Sequence, residues 1–202
     1  MKKSIKIAIL CLIVAVVGVF ALTACEGSDP FGVMNTKLAQ TSAAVKAETV
    51  TEVKTESGNL LYEDKAEYER VDENVNVRYT VTALNDNPAV GENAEKYVTS
   101  EETAVISVEQ YLEAIRANRT FDQSIKAGGY ETKTLDDGSM TLTFDVAETA
   151  IAAVLGLTEE EAAGIKDVKA SVDSDAAHVT SLTVRYSTAF GNVVKISVKY
   201  IY

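Results

Sequence analysis

The sequence predicts an α+β fold: a strongly curved antiparallel β-sheet of about 8–10 strands, an incomplete barrel, packed on two or three short helices. Three observations predict it. Long segments near both ends of the chain alternate apolar and polar residues, as in Val75, Val77, Tyr79, Val81 and Ala83 against Asn76, Arg78, Thr80 and Thr82. A period of two marks a strand with one buried face. Helix-type stripes are confined to the middle of the chain, which separates the pattern from a repeating βαβ chain. Because the helices are few and short, strands this long cover their apolar face only if the sheet bends around them.

The first 24 residues read as an export signal. Lys2, Lys3 and Lys6 are followed by an apolar run from Ile7 to Leu22 and then by Leu22-Thr23-Ala24-Cys25. That order is the pattern of a cleavable leader. The small Thr23 and Ala24 suit a peptidase subsite that admits little bulk. The cysteine behind them resembles the lipobox of bacterial lipoproteins, which implies cleavage between Ala24 and Cys25 and a diacylglyceryl group on the Cys25 thiol. An uncleaved spanning helix is the alternative, but the run falls short of the about 20 apolar residues a span needs. Two acyl chains hold a protein stably where one is marginal. The expected location is therefore the extracytoplasmic face of the cell membrane, with the membrane itself as partner through Cys25. The chain has two cysteines. Cys11 leaves with the leader and Cys25 is acylated, so no thiol remains for a disulfide.

Residues 26 to 32, with two glycines and Pro30 among small and acidic residues, read as a tether. Residues 33 to 44 fit a short helix. Strands are expected at 45–56, 60–71 and 75–83, with turns at Ser57-Gly58-Asn59 and Asp72-Glu73-Asn74. A loop opens at Asn85-Asp86-Asn87-Pro88, and one or two strands span 96–106. Ser107 with Gln110 is a capping box, and Val108, Tyr111, Leu112 and Ile115 form an apolar stripe; Gly128 and Gly129 are expected to end this helical region. Strands resume at 130–135 and 140–146 around an Asp137-Gly138 turn. Helices are expected at about 148–155 and after Thr158, which forms a second capping box with Glu161. Three closing strands cover 168–172, 179–186 and 192–202. The whole of 33–202 reads as one domain.

Removing the leader leaves 16 basic against 30 acidic residues, a net charge of −14. A domain this acidic repels polyanions, which argues against nucleic acid as a partner. The single histidine, His178, lies near Asp173 and Asp175 at a strand start; one histidine does not make a usual zinc site, and an exposed turn accounts for it. The Asn85-Asp86-Asn87, Asp136-Asp137 and Asp173/Asp175 groups offer oxygen ligands of the kind calcium takes, but none matches an EF-hand loop and turn chemistry explains each. Ser124 stands two residues before Lys126, the wrong spacing for a Ser-x-x-Lys nucleophile, and Gly128-Gly129 lacks the rest of a phosphate loop. The expectation is a protein with no catalytic residues, no metal and no cofactor.

The closing half carries a family resemblance. Leu155-Gly156-Leu157-Thr158-Glu159-Glu160-Glu161 precedes Ile165-Lys166-Asp167-Val168-Lys169-Ala170, and strands at 179–186 and 193–202 follow. The pattern resembles small lipoproteins of Gram-positive bacteria whose domain is similar to the LolA/LppX lipoprotein-carrier fold. That resemblance implies a hydrophobic cavity between sheet and helices and a lipid or other hydrophobic small molecule as ligand. Tyr62, Tyr68, Tyr79, Tyr186 and Tyr200 occupy apolar positions of strands, as does Tyr202, and the first five are candidates to line such a cavity. Ordinary sheet packing is the other account of them. A non-catalytic structural or interaction domain of the cell envelope, with a solid core, is the alternative function.

Overall fold

A computed structural model describes residues 29–84, 97–117 and 119–202. The leader, Ala24 and Cys25 lie outside the described residues, as do Asn85, Asp86 and Asn87. The chain forms one open sheet of nine antiparallel strands: β1 (Lys46–Lys54), β2 (Leu60–Val71), β3 (Asn74–Leu84), β4 (Tyr97–Ser107), β5 (Lys126–Thr134), β6 (Met140–Val146), β7 (Lys166–Ser174), β8 (Val179–Ser187) and β9 (Val193–Ile201). Their order is β4-β3-β2-β1-β9-β8-β7-β6-β5. Two meanders, β1–β4 and β5–β9, are thus joined by the pairing of β1 with β9, in unbroken register from Lys46 opposite Ile201 to Lys54 opposite Val193. The strands β4 and β5 are the two edges.

The turns follow from local chemistry. Gly58 at φ +88 and Gly138 at φ +82 take the left-handed backbone that closes the β1–β2 and β5–β6 hairpins. Each donates its N–H back three residues, to the carbonyls of Thr55 and Leu135.

Four short α-helices occur among the described residues, one in each helical segment the sequence suggests: α1 (Pro30–Leu38), α2 (Val108–Ala114), α3 (Ile151–Leu155) and α4 (Glu159–Ala162). Both predicted capping boxes form, Ser107 with Gln110 and Thr158 with Glu161. Three boundaries differ from the sequence reading, each for a physical reason.

The first helix starts at Pro30, not at residue 33, and stops at Leu38 before a single 3₁₀ turn, Thr41–Ala43. The Asp29 carboxylate accepts the Phe31 N–H at 3.1 Å, and proline at the first helical position suits a site with no use for its missing N–H. Asp29 also accepts from the Tyr130 hydroxyl at 3.1 Å and from the Gln123 amide. Phe31, Met34 and Leu38 then share one buried face. Pro30, Phe31 and Gly32, read above as tether, therefore belong to the folded domain.

The second difference concerns α2, which is only seven residues long. The chain turns out of it through Arg116, whose φ of +55 is left-handed, and no glycine or proline advertises the stop. The third concerns Gly128 and Gly129, which end no helix. They lie inside β5, where Gly128 at φ +99 accompanies a register shift between Lys126 and Tyr130. This is a β-bulge, the other structure that glycine permits.

The buried residues form one cluster spanning both meanders. Phe31 of α1 meets Phe144 of β6 at 5.3 Å between ring centroids, and Phe121 meets the same ring at 5.7 Å. The Asn35 side chain pairs with the backbone of Phe121 in both directions, at 2.7 and 2.8 Å. Tyr111 of α2 is fully buried against Tyr68, with centroids 5.7 Å apart. Its hydroxyl donates to the Ala44 carbonyl at 2.9 Å. No helix among the described residues is long and apolar enough to cross a membrane.

Candidate functional site

Strand register puts the five candidate tyrosines on one face of the sheet. Tyr62, Ala66 and Tyr68 of β2 stand opposite Ala83, Tyr79 and Val77 of β3 and opposite Val53, Thr49 and Ala47 of β1. The same row continues through Val194, Val198 and Tyr200 of β9 to Tyr186 of β8, which faces Val194. The other face carries charge. Lys65 bridges Glu48 and Glu67 at 2.8 and 3.0 Å, Lys199 reaches Glu48 at 3.2 Å, and Lys46 meets Glu69 at 2.7 Å. The Lys65 hydrogen bond, more than any other contact, holds the Glu48 carboxyl below its ordinary range, against a smaller upward push from burial.

The tyrosine face divides into two parts. At one end Ala47, Tyr68, Val75, Val77, Val198 and Tyr200 are buried. The Tyr200 hydroxyl donates to the carbonyl of Ile115, just beyond α2, at 2.9 Å, and burial pushes it well above the ordinary phenol range. At the other end of the same strands Thr51, Val53, Tyr62, Tyr79, Val81 and Ala83 are only half-buried. Tyr186 is half-buried as well. The five tyrosines thus share a face without sharing an environment: Tyr68 and Tyr200 are core, while Tyr62, Tyr79 and Tyr186 border the half-covered part.

That half-covered part contains a carboxylate. Asp64 takes the slot between Tyr62 and Ala66 where the alternation calls for an apolar residue, opposite Thr51 and Val81. Burial raises its pKa, and a hydrogen bond from Tyr62 partly offsets the rise. Burial likewise raises Tyr62, with Asp64 adding to the effect.

Two arginines follow α2, close to the Tyr200 end of this face, where Tyr200 bonds to Ile115. Arg116, half-buried, follows α2 and donates from Nη1 to the Val154 carbonyl of α3 at 3.5 Å. Burial lowers its guanidinium to about 10; Arg119 pushes the same way, and the Tyr200 and Tyr186 hydroxyls push back. Arg119 is also half-buried and lowered by burial, with Tyr200 and Glu113 opposing. Among the described residues neither arginine makes an ion pair; all seven pairs belong to lysines.

The remaining candidate groups resolve into turn and packing chemistry. Asp137 accepts from the Ser139 N–H and hydroxyl, and Asp175 from the Ala177 and His178 N–H groups. Asp173 accepts from the Thr141 and Ser181 hydroxyls on neighbouring strands. His178 is not the exposed turn residue expected of it. It is half-buried and stacks on Tyr202, with centroids 4.2 Å apart. Among the described residues no group of three or more His, Cys, Asp or Glu side chains is arranged to hold a metal. An open recess of about 280 Å³ lies beside the β5 bulge, between Tyr130, Glu131, Thr143, Asp145 and Lys169. None of the five candidate tyrosines lines it.

The sequence contained signals for Asp64 and the arginines. Asp64 interrupts Leu60, Tyr62, Ala66 and Tyr68, and Arg116 and Arg119 stand where the stripe of Leu112 and Ile115 would continue on a longer helix. A charge in an apolar slot marks a side chain directed into the interior.

No protein-family model matches the chain, and no curated protein does. Among solved structures, an N-terminal dehydratase from the difficidin assembly line aligns over 84% of this chain and 82% of that chain, at 10% identity and a TM-score of 0.16. A score that low carries no inference about fold or activity.

Proposed function

We propose that this chain is a lipid-anchored, extracytoplasmic protein without catalytic activity that holds an apolar or amphiphilic molecule against the half-covered end of its tyrosine-bearing sheet face. The observation that carries the reading is the division of that face. Strands whose alternation calls for one buried side are fully covered at one end and left half-open at the other, around Val53, Tyr62, Val81 and Ala83. A partly covered apolar surface rimmed by Tyr62, Tyr186 and Asp64 combines an apolar lining with a few polar groups, as ligand sites do. In this reading the sheet curves over the helices as in the LolA/LppX-like carriers that the sequence resembles, and Cys25 keeps the domain at the outer face of the membrane.

Two measurements test it. Native mass spectrometry and solvent extraction of the protein from its host should yield a reproducible co-purifying apolar molecule. A Cys25→Ala variant should accumulate as unprocessed precursor and take up no labelled palmitate. Normal processing and labelling of that variant would remove the anchor from the proposal, and repeated recovery of ligand-free protein would remove the carrier role.

The second reading, an envelope domain with a solid core, draws on a specific observation. Tyr68 and Tyr200 are packed into the core rather than lining space, and Tyr200 also bonds to helix-end backbone.

A further inference from the structure

The chain has an excess of acids, 30 against 19 basic residues, and its strand lysines find acidic partners readily. Arg116 and Arg119 find none among the described residues, although both are half-buried. A charge taken out of water is costly unless a counter-charge or several hydrogen bonds compensate it. Among the described residues Arg116 has one hydrogen bond, a long one, to the Val154 carbonyl. Glu113 acts electrostatically on Arg119 but, among the described residues, makes no ion pair with it. The Tyr200 hydroxyl bonds to the carbonyl of Ile115, the residue before Arg116; Tyr200 and Tyr186 share the tyrosine-bearing face, and both act electrostatically on the Arg116 guanidinium. Tyr186 borders the half-covered part of that face. The unmet positive charge and the apolar surface are therefore adjacent.

We propose that Arg116, supported by Arg119, is the head-group site of the proposed ligand face and takes the carboxylate of a long-chain acid. The inference rests on the carrier reading above and adds the chemistry of the head group to it. A guanidinium presents a planar fork that pairs two N–H groups with two carboxylate oxygens. The acyl chain would lie past Tyr186 onto Val53, Tyr62 and Val81.

The test uses the full chain held in amphipol, with sodium oleate labelled with ¹³C at the carboxyl, methyl oleate and inorganic phosphate as probes. The wild type should bind oleate about 10- to 100-fold more tightly than methyl oleate, the range that a charge-assisted hydrogen-bonded pair supplies. Arg116→Leu should abolish that preference while leaving methyl oleate unchanged, and Arg116→Lys should retain part of it. Without ligand, Arg116→Leu should be at least as stable as the wild type, because it removes an uncompensated charge; a lower denaturation midpoint would make Arg116 a structural residue and overturn the site. Equal binding of oleate and methyl oleate would overturn the head-group site and leave the apolar face standing. Failure of both to bind would overturn the carrier reading as well. Phosphate binding as tight as oleate binding would show a site for free anions and overturn the assignment to a long-chain acid.

Discussion

Raising the pH from about 9 to about 12 should destabilise this protein, and its buried tyrosines Tyr111 and Tyr200 are the reason. Burial raises the Tyr111 hydroxyl to about 12, and it raises the Tyr200 hydroxyl well above its ordinary range as well. In the unfolded chain each phenol releases its proton near pH 10. The folded state therefore binds protons that the unfolded state has lost, and stability falls with rising pH. The contribution is fully present below the unfolded pKa of about 10 and is lost as pH climbs through the folded values. For Tyr111, whose side chain is fully buried, a rise of two units corresponds to about 3 kcal/mol. Denaturation midpoints measured across this range, together with tyrosinate absorbance, check the prediction. Tyr111→Phe should cost about 1 kcal/mol at neutral pH, because the Ala44 carbonyl loses its donor, and should flatten the alkaline decline. Ionisation of every tyrosine near pH 10 without loss of stability would contradict the account.

Phe31→Ala should destabilise the protein by about 3–5 kcal/mol. The ring is 1% exposed and packs against Phe144 and Tyr130. A cavity there would loosen α1 from β6, and little else pins the start of the helix apart from the Asp29 contacts. Phe190→Ala is the matched control. That ring is 92% exposed in the β8–β9 turn, so its loss should fall within about 0.5 kcal/mol of zero. Equal effects from the two substitutions would mean that α1 does not belong to the domain.

The contrast between these two phenylalanines marks what a sequence can convey. Strands were legible because alternation is a local property: the runs through β3 and β9 can face only one way. The capping boxes at Ser107 and Thr158 were legible for the same reason. The start of α1 was written in Asp29-Pro30, but Pro30 between glycines also reads as a linker, and only the distant partners Gln123, Tyr130 and Phe144 decide between the two. The end of α2 carries no local mark at all. Gly128-Gly129 states that the backbone is unusual without stating whether a helix ends or a strand bulges.

The candidate site divides in the same way. That the tyrosines share a face follows from alternation and register. Which of them are core depends on where helices of seven and nine residues come to rest, which is a tertiary outcome. Asp64 and Arg116 were visible as charges in apolar slots, yet their meaning depends on which groups come near them, Tyr62 for one and the Val154 carbonyl for the other, and that is a property of three dimensions.

The pairing of β1 with β9 sets a timetable for folding. Strand β1 is the first and its second neighbour, β9, the last of the nine described strands, so a central seam of the sheet closes only after the other seven have been made. Contacts between residues so far apart in sequence make folding slow. Through that interval the outer edge of β1 is unpaired, a template for another copy of the chain. The residues of β1 meet that hazard: Lys46, Glu48, Glu52 and Lys54 charge one side of the strand, with Val50 alone between them, which discourages aggregation until β9 arrives. The ion pairs they make in the finished sheet, Lys199 to Glu48 and Lys195 to Glu52, also help the late strand select its correct register.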